Sequence, residues 1–146
     1  MRKFCSVLFL SAVIFAACAK TGEPSIVADV CQMDDGTLVA VEGFLILPNF
    51  MNTLVSPKTG NTSYELFLAA QPDGKSPTVK TTVFGTRSNE PNRIAELPAE
   101  GYTQKDLRIF TDTGETIGSP DRVRVTGEIS RNTNSCILKI RKIEKK

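Results

Sequence analysis

Beyond Thr37 the sequence is a succession of short apolar and β-branched runs, each cut off by Gly, Pro, Asn or Asp before a helix could form. That punctuation is the strongest constraint on the fold. A helix needs apolar residues recurring every three or four positions over roughly ten residues, whereas alternation over a shorter stretch makes a half-buried strand. Asp121–Ser130 shows the alternation most clearly. Val123, Val125 and Ile129 share one parity, and Arg122, Arg124, Thr126 and Glu128 take the other. Thr37–Leu47 reads as a long strand with Val39, Val41, Leu45 and Leu47 in phase. Ser63–Ala70 and Thr78–Gly85 read as a hairpin about Pro72-Asp73-Gly74. Ser135–Ile143 is the last strand, reached through the turn Arg131-Asn132-Thr133-Asn134.

Irregularities in this pattern carry information too. Gly43 and Gly127 interrupt two strands, the mark of a bend or bulge where a curved sheet turns a corner. Ile143 falls out of phase with Cys136, Leu138 and Ile140, so a bulge or the end of pairing is expected there. Asn49–Asn61 reads as a loop. Arg87–Gln104 reads as irregular chain with a single helical turn at Asn92–Leu97, followed by a short strand at Leu107–Thr111 and a turn at Asp112–Glu115. Five main strands at short intervals favour a small closed or nearly closed antiparallel barrel, because closure protects the sheet edges.

The N-terminus obeys different rules. Met1-Arg2-Lys3 is basic, Phe4–Phe15 is apolar, and small residues follow. A basic head, a short apolar core and a small-residue cleavage site make a secretory signal, and the apolar run is too short to span a bilayer comfortably. The reading assigns residues 1–17 to a signal peptide, 18–30 to a tether and 31–146 to one barrel domain. Ala19–Ser25 is small, polar and broken by Pro24, which suits a spacer. Phe15-Ala16-Ala17-Cys18 resembles the lipobox of bacterial lipoproteins, with Phe in place of the usual Leu. The resemblance implies a diacylglycerol thioether on Cys18 and an acylated N-terminus, an anchor far stronger than a single chain. Ala19, where the lipoproteins of enteric-type bacteria would carry Asp for inner-membrane retention, implies the outer membrane in an organism that has one. Ala17-Cys18-Ala19 also fits ordinary cleavage, which would release a soluble secreted protein.

Of four cysteines, Cys5 leaves with the signal and Cys18 goes to lipid, so Cys31 and Cys136 remain. An even pair in an exported chain reads as a disulfide, with two buried free thiols as the alternative.

Asp121–Ile129 looks like the fourth strand of an OB-fold, with Leu38–Leu47 as the first strand bent at Gly43. The resemblance implies a five-stranded barrel whose first strand lies beside the fourth and whose last packs back near the first. It departs between strands three and four, where a helix is usual.

Charge and chemistry narrow the function. Of 18 basic residues two lie in the leader, so the rest balance the 16 acidic ones. A nucleic-acid partner is not expected, because such binding draws on a basic excess. The C-terminal cluster Lys139, Arg141, Lys142, Lys145 and Lys146 reads as a solvated strand face, or else as a patch for anionic headgroups or glycan. The chain has no histidine, which removes the commonest general base and metal ligand. No glycine-rich phosphate loop is present. Asp34-Asp35-Gly36 resembles part of a calcium loop and reads as a turn. Asn61-Thr62-Ser63 matches the glycosylation acceptor pattern, idle in a bacterial lipoprotein. No enzyme activity, cofactor or metal site is expected. A hydrolase using carboxylates alone is the remote alternative.

OB-folds bind ligands on the outer face of strands two and three. Phe67 and Phe84 have the parity opposite to Leu66, Leu68, Val79 and Val83, so they are expected on that face beside Glu65 and Lys80. Either they form a contact platform, or the Asn49–Asn61 loop or the Arg87–Gln104 segment covers them. Phe50, Met51 and Tyr102 are weaker candidates. The expected protein is therefore a lipid-anchored envelope module binding an unknown envelope protein or glycan. The alternative is a soluble module of the same fold that binds oligosaccharide or peptide.

Overall fold

Alternation decides which side of each strand is dry. The computed structural model describes residues 21–146; the leader expected at 1–17 and Cys18, the expected site of lipidation, lie outside them. The strands are β1 (Glu23–Ser25), β2 (Leu38–Ile46), β3 (Thr53–Val55), β4 (Thr62–Ala69), β5 (Thr78–Thr86), β6 (Arg93–Ala95), β7 (Arg108–Phe110), β8 (Thr116–Gly118), β9 (Arg122–Asn132) and β10 (Ser135–Lys145). Val39, Val41, Leu45, Leu66, Leu68, Val79, Val83, Val123, Val125, Ile129 and Leu138 are all buried in one core. Each such side chain contributes roughly 1.5–3 kcal/mol over leaving it in water.

Five strands close into a ring. β2 pairs with β4, β4 with β5, β5 with β10, β10 with β9, and β9 with β2. Numbered along the barrel, the order is one, two, three, five, four, which is the order of an OB-fold. Two expectations change. The last barrel strand lies between the third and the fourth, not beside the first. The barrel is also not wholly antiparallel, since β5 and β10 run parallel. An odd number of strands cannot alternate direction all the way round a ring, so one parallel pair is unavoidable.

The glycines mark close approach rather than extra residues. At Gly43 β2 hands over from β9 to β4, and a Cβ there would stand 2.5 Å from the Ala69 carbonyl oxygen. At Gly127 a Cβ would stand 2.6 Å from the Lys139 carbonyl oxygen. The bulge itself falls on β10, between Ile140 and Lys142. The extra residue, Arg141, lets both Ile140 and Ile143 face the core, as the broken parity of Ile143 led one to expect.

Tertiary pairing also changes three local readings. Asn49–Asn61 is not all loop: β3 forms a hairpin with the start of β4. Asn92–Leu97 makes no helical turn; its centre is β6, parallel to the end of β5. β6, β7 and β8 form a small sheet whose Ile94, Ile109 and Ile117 join the barrel core. Strand geometry wins there because apolar Ile94 has β5 to pair with. Thirdly, the tether expected over 18–30 ends early. β1 pairs in parallel with Val39–Val41, and Val27 and Val30 are buried, so from Glu23 the chain belongs to the folded body. That stretch covers the part of β2's edge that β4 does not reach.

The N-terminal strap is sewn down by Cys31–Cys136, with α-carbons 5.8 Å apart and a separation of 105 in sequence. Beside it the Arg131 guanidinium donates to the carbonyls of Cys31 and Met33. The Arg131 backbone N–H donates to the Asp35 carboxylate at 2.6 Å, which gives the Asp34-Asp35-Gly36 turn a structural role.

Candidate functional site

The outer face of β4, β5 and β10 is set out by register. Ser63 lies opposite Phe84, Glu65 opposite Thr82 and Phe67 opposite Lys80. Across the parallel pair Ile137 lies beside Lys80 and Lys139 beside Thr82. β3 extends the face at its far side, with Leu54 opposite Ser63. All of these side chains point away from the core because Tyr64, Leu66, Leu68, Val79, Thr81 and Val83 take the inward parity.

Phe67 and Phe84 do face outward, but they do not form one platform. Phe67 lies four positions along β4 from Ser63, the partner of Phe84, about 13 Å along the strand. Between them Lys80 Nζ lies 3.7 Å from the Glu65 carboxylate, and the Asn52 side-chain amide donates to Glu65 Oε2 at 2.9 Å. Phe67 is half-buried and shares a small hollow of about 80 Å³ with Pro48 and Phe50 from the loop after β2. Phe84 is 49% exposed, and the Arg93 guanidinium sits 5.4 Å from its ring centroid. Glu90 pairs with Arg93 at 2.9 Å and holds it there. A cation over a ring face is favourable by about 0.5–1 kcal/mol where water can reach it.

Beside Phe84 a groove of about 310 Å³ opens. Leu54, Phe84, Ile137 and Ile140 line it, with Glu65 and Lys139 at its polar margin. Leu54 and Ile137 are the residues that reading the sequence missed. Leu54 was hidden because its segment reads as a loop. Ile137 carried a signal: it is apolar at the parity opposite to Cys136, Leu138 and Ile140.

The remaining outer faces differ in kind. On β2, β9 and β10 charges pair off: Arg122 with Glu42 at 3.2 Å, Arg141 with Glu128, Lys142 with Asp112 at 3.1 Å and Glu144 at 3.0 Å, and Lys145 with Glu115 at 2.8 Å. Hydrogen bonds to Glu144 and Asp112 hold the Lys142 ammonium above the usual lysine pKa, and the bond to Glu115 does the same for Lys145. Such exposed pairs stabilise little. They neutralise much of the basic C-terminal cluster as a surface for anions. Lys139 forms no ion pair among the described residues.

A second hollow, of about 400 Å³, lies on the opposite side of β3, between Met51, Tyr64, Leu97, Pro98 and Tyr102. The Tyr102 hydroxyl donates to the Pro48 carbonyl at 2.6 Å, and Gln104 spans both backbone groups of Leu47, accepting at 3.0 Å and donating at 2.6 Å. These bonds tie the segment after β6 to the end of β2. Burial, followed by the nearby Glu96 carboxylate, raises the Tyr64 pKa, and burial raises that of Tyr102. Both phenols therefore stay protonated at neutral pH. Among the described residues no group of three or more His, Cys, Asp or Glu is placed to hold a metal ion.

No family model matches this sequence, and no curated protein does. Among solved structures it is similar to that of the hypothetical protein ygiW from E. coli. The two are 14% identical over 86% of this chain and 91% of that one, with a TM-score of 0.43.

Proposed function

We propose that this protein is a lipid-anchored, non-catalytic binding module of a bacterial cell envelope. Cys18 carries the anchor, and the outer face of β4, β5 and β10 takes the ligand, an envelope protein or a glycan. The observation that carries this reading is the groove of Leu54, Phe84 and Ile137. Leu54 and Phe84 stand open to water on one face, with Ile137 half-buried between them and the barrel, while the neighbouring faces are filled by paired charges. An exposed apolar cluster rimmed by polar groups is what a recognition surface needs. Export is supported by the leader and by the Cys31–Cys136 disulfide, which suits an oxidising compartment. Ala19 after the lipobox cysteine supports the outer membrane, facing the periplasm, in an organism that has one. A chain without histidine supports binding rather than catalysis.

Two experiments test it. Cells given labelled palmitate are expected to label the wild-type protein and not Cys18→Ala; label that persists in the variant overturns the anchor. A photo-crosslinking side chain placed at Phe84 in intact cells is expected to give a discrete adduct. The same side chain at Arg122, on the charge-paired face, is expected to give none. Equal adducts at both positions would remove the groove from consideration.

A further inference from the structure

The edge strand β3 is unusual among the described elements. Edge strands are normally blunted by Lys, Pro, a bulge or a cover, because their outer backbone groups invite another strand. Thr53, Leu54 and Val55 carry no charge, and Leu54 and Val55 are 60% and 64% exposed. Among the described residues, four of the five large hydrophobic side chains that stand exposed, Phe50, Leu54, Val55 and Phe84, belong to this corner. β8, the opposite end of the sheet, is treated differently. The outward N–H of Gly118 is capped by the Asp121 carboxylate at 3.0 Å.

Register shows which backbone groups of β3 are free. The Ser56 N–H donates to the Asn61 carbonyl at 2.9 Å, and the Glu65 N–H donates to the Asn52 carbonyl at 3.1 Å. Hydrogen-bonded residues alternate along an antiparallel ladder. Asn52, Leu54 and Ser56 therefore turn their backbone groups toward β4, and Thr53 and Val55 turn theirs away from it. No strand lies on that side among the described residues. Two donors and two acceptors are thus lined up at strand spacing.

The cavity of Met51, Tyr64, Leu97, Pro98 and Tyr102 opens on the face to which Thr53 points, directly beside this edge. We infer that β3 accepts an extended peptide as an added strand, with an apolar side chain of that peptide seated in the cavity. Main-chain bonds to Thr53 and Val55 supply affinity. The pocket for an alternate side chain supplies selectivity. Side chains of the added strand on the other face would meet Leu54 and Phe50. No charged residue lines the cavity, which selects a bulky apolar side chain over an acidic or basic one. The occupant is a segment of another protein with bulky apolar residues at alternate positions. This site shares Leu54 with the outer groove, but its main-chain bonds and its cavity are not used by that groove.

The test uses a displayed library of random linear peptides selected against the full-length protein in detergent, with enriched peptides synthesised and titrated by fluorescence polarisation. Enriched sequences are expected to alternate apolar with other residues. Val55→Pro removes one outward donor while leaving the bonds to β4 intact, and is expected to weaken binding about tenfold. Thr53→Trp, which fills the cavity mouth and keeps every donor, is expected to weaken it comparably. Phe84→Ala is expected to leave it unchanged, which separates this site from the groove. The inference is overturned if no peptide is enriched, or if Val55→Pro and Thr53→Trp both bind as wild type. Self-association of the wild-type chain that Val55→Pro abolishes would also overturn it, by making a second copy the occupant.

Discussion

Replacing Cys31 and Cys136 together by serine is expected to lower the melting temperature by roughly 10–20 °C. The bridge joins positions 105 apart, so it closes most of the folded chain into one loop. For a loop that long the chain-entropy argument gives about 4–5 kcal/mol as a ceiling. The native side of the balance points the same way. The bridge holds the 3₁₀ turn Val30–Gln32 against β10, which keeps Val30 buried and β1 paired with β2. The double variant is the right comparison, because a single replacement leaves a lone reactive thiol. Thermal denaturation followed by circular dichroism, with and without dithiothreitol, decides the matter. Reductant should bring the wild type down to the double variant and leave the variant where it is. A wild type indifferent to reductant, melting with the variant, would mean the disulfide does not carry this stability.

Gly43→Ala is expected to cost about 3 kcal/mol or more, a larger penalty than most single methyl additions. The added Cβ would meet the Ala69 carbonyl oxygen at 2.5 Å and Leu68 Cδ1 at 3.1 Å. The first contact is backbone and cannot swing aside. Relief would require β2 and β4 to separate at the point where β2 changes partners, which opens the ring. Urea denaturation of the variant should show a lower midpoint with a similar slope. Gly114→Asn is the control: its turn has φ 82° with nothing within 4 Å of the new Cβ, and Asn tolerates that backbone at a cost under about 1 kcal/mol. Equal midpoints for the two variants would show that the tight passage at Gly43 can relax.

Much of the barrel was legible because alternation is a local property. Val39, Val41 and Leu45 on β2, and Val123, Val125 and Ile129 on β9, declare their buried side without reference to any partner. The out-of-phase Ile143 announced the bulge at Arg141 for the same reason. Pairing of Cys31 with Cys136 also follows from residue chemistry. What failed were short segments whose conformation depends on a neighbour. Thr53–Val55 is too short and too polar in its surroundings to declare a strand; it becomes one because Thr62–Tyr64 is there to pair with it. Arg93–Ala95 becomes a strand because Gly85 and Thr86 extend past the barrel. Glu23–Ser25, with Pro in its middle, has the composition of a spacer and is captured by the uncovered edge of β2.

The site divides along the same line. That Phe67 and Phe84 face outward with Glu65 and Lys80 is a matter of parity, and parity is written in each strand separately. Which outward residues become neighbours depends on register and on the order of strands round the ring. Strand order brought Ile137 beside Lys80, register kept the two rings about 13 Å apart, and the β3 hairpin carried Leu54 to the rim of the groove. Sequence alone determined which side of each strand faces inward, the pairing of Cys31 with Cys136, and the lack of imidazole chemistry; only the closed barrel decided which side chains share a surface, because pairing joins residues that the chain holds far apart.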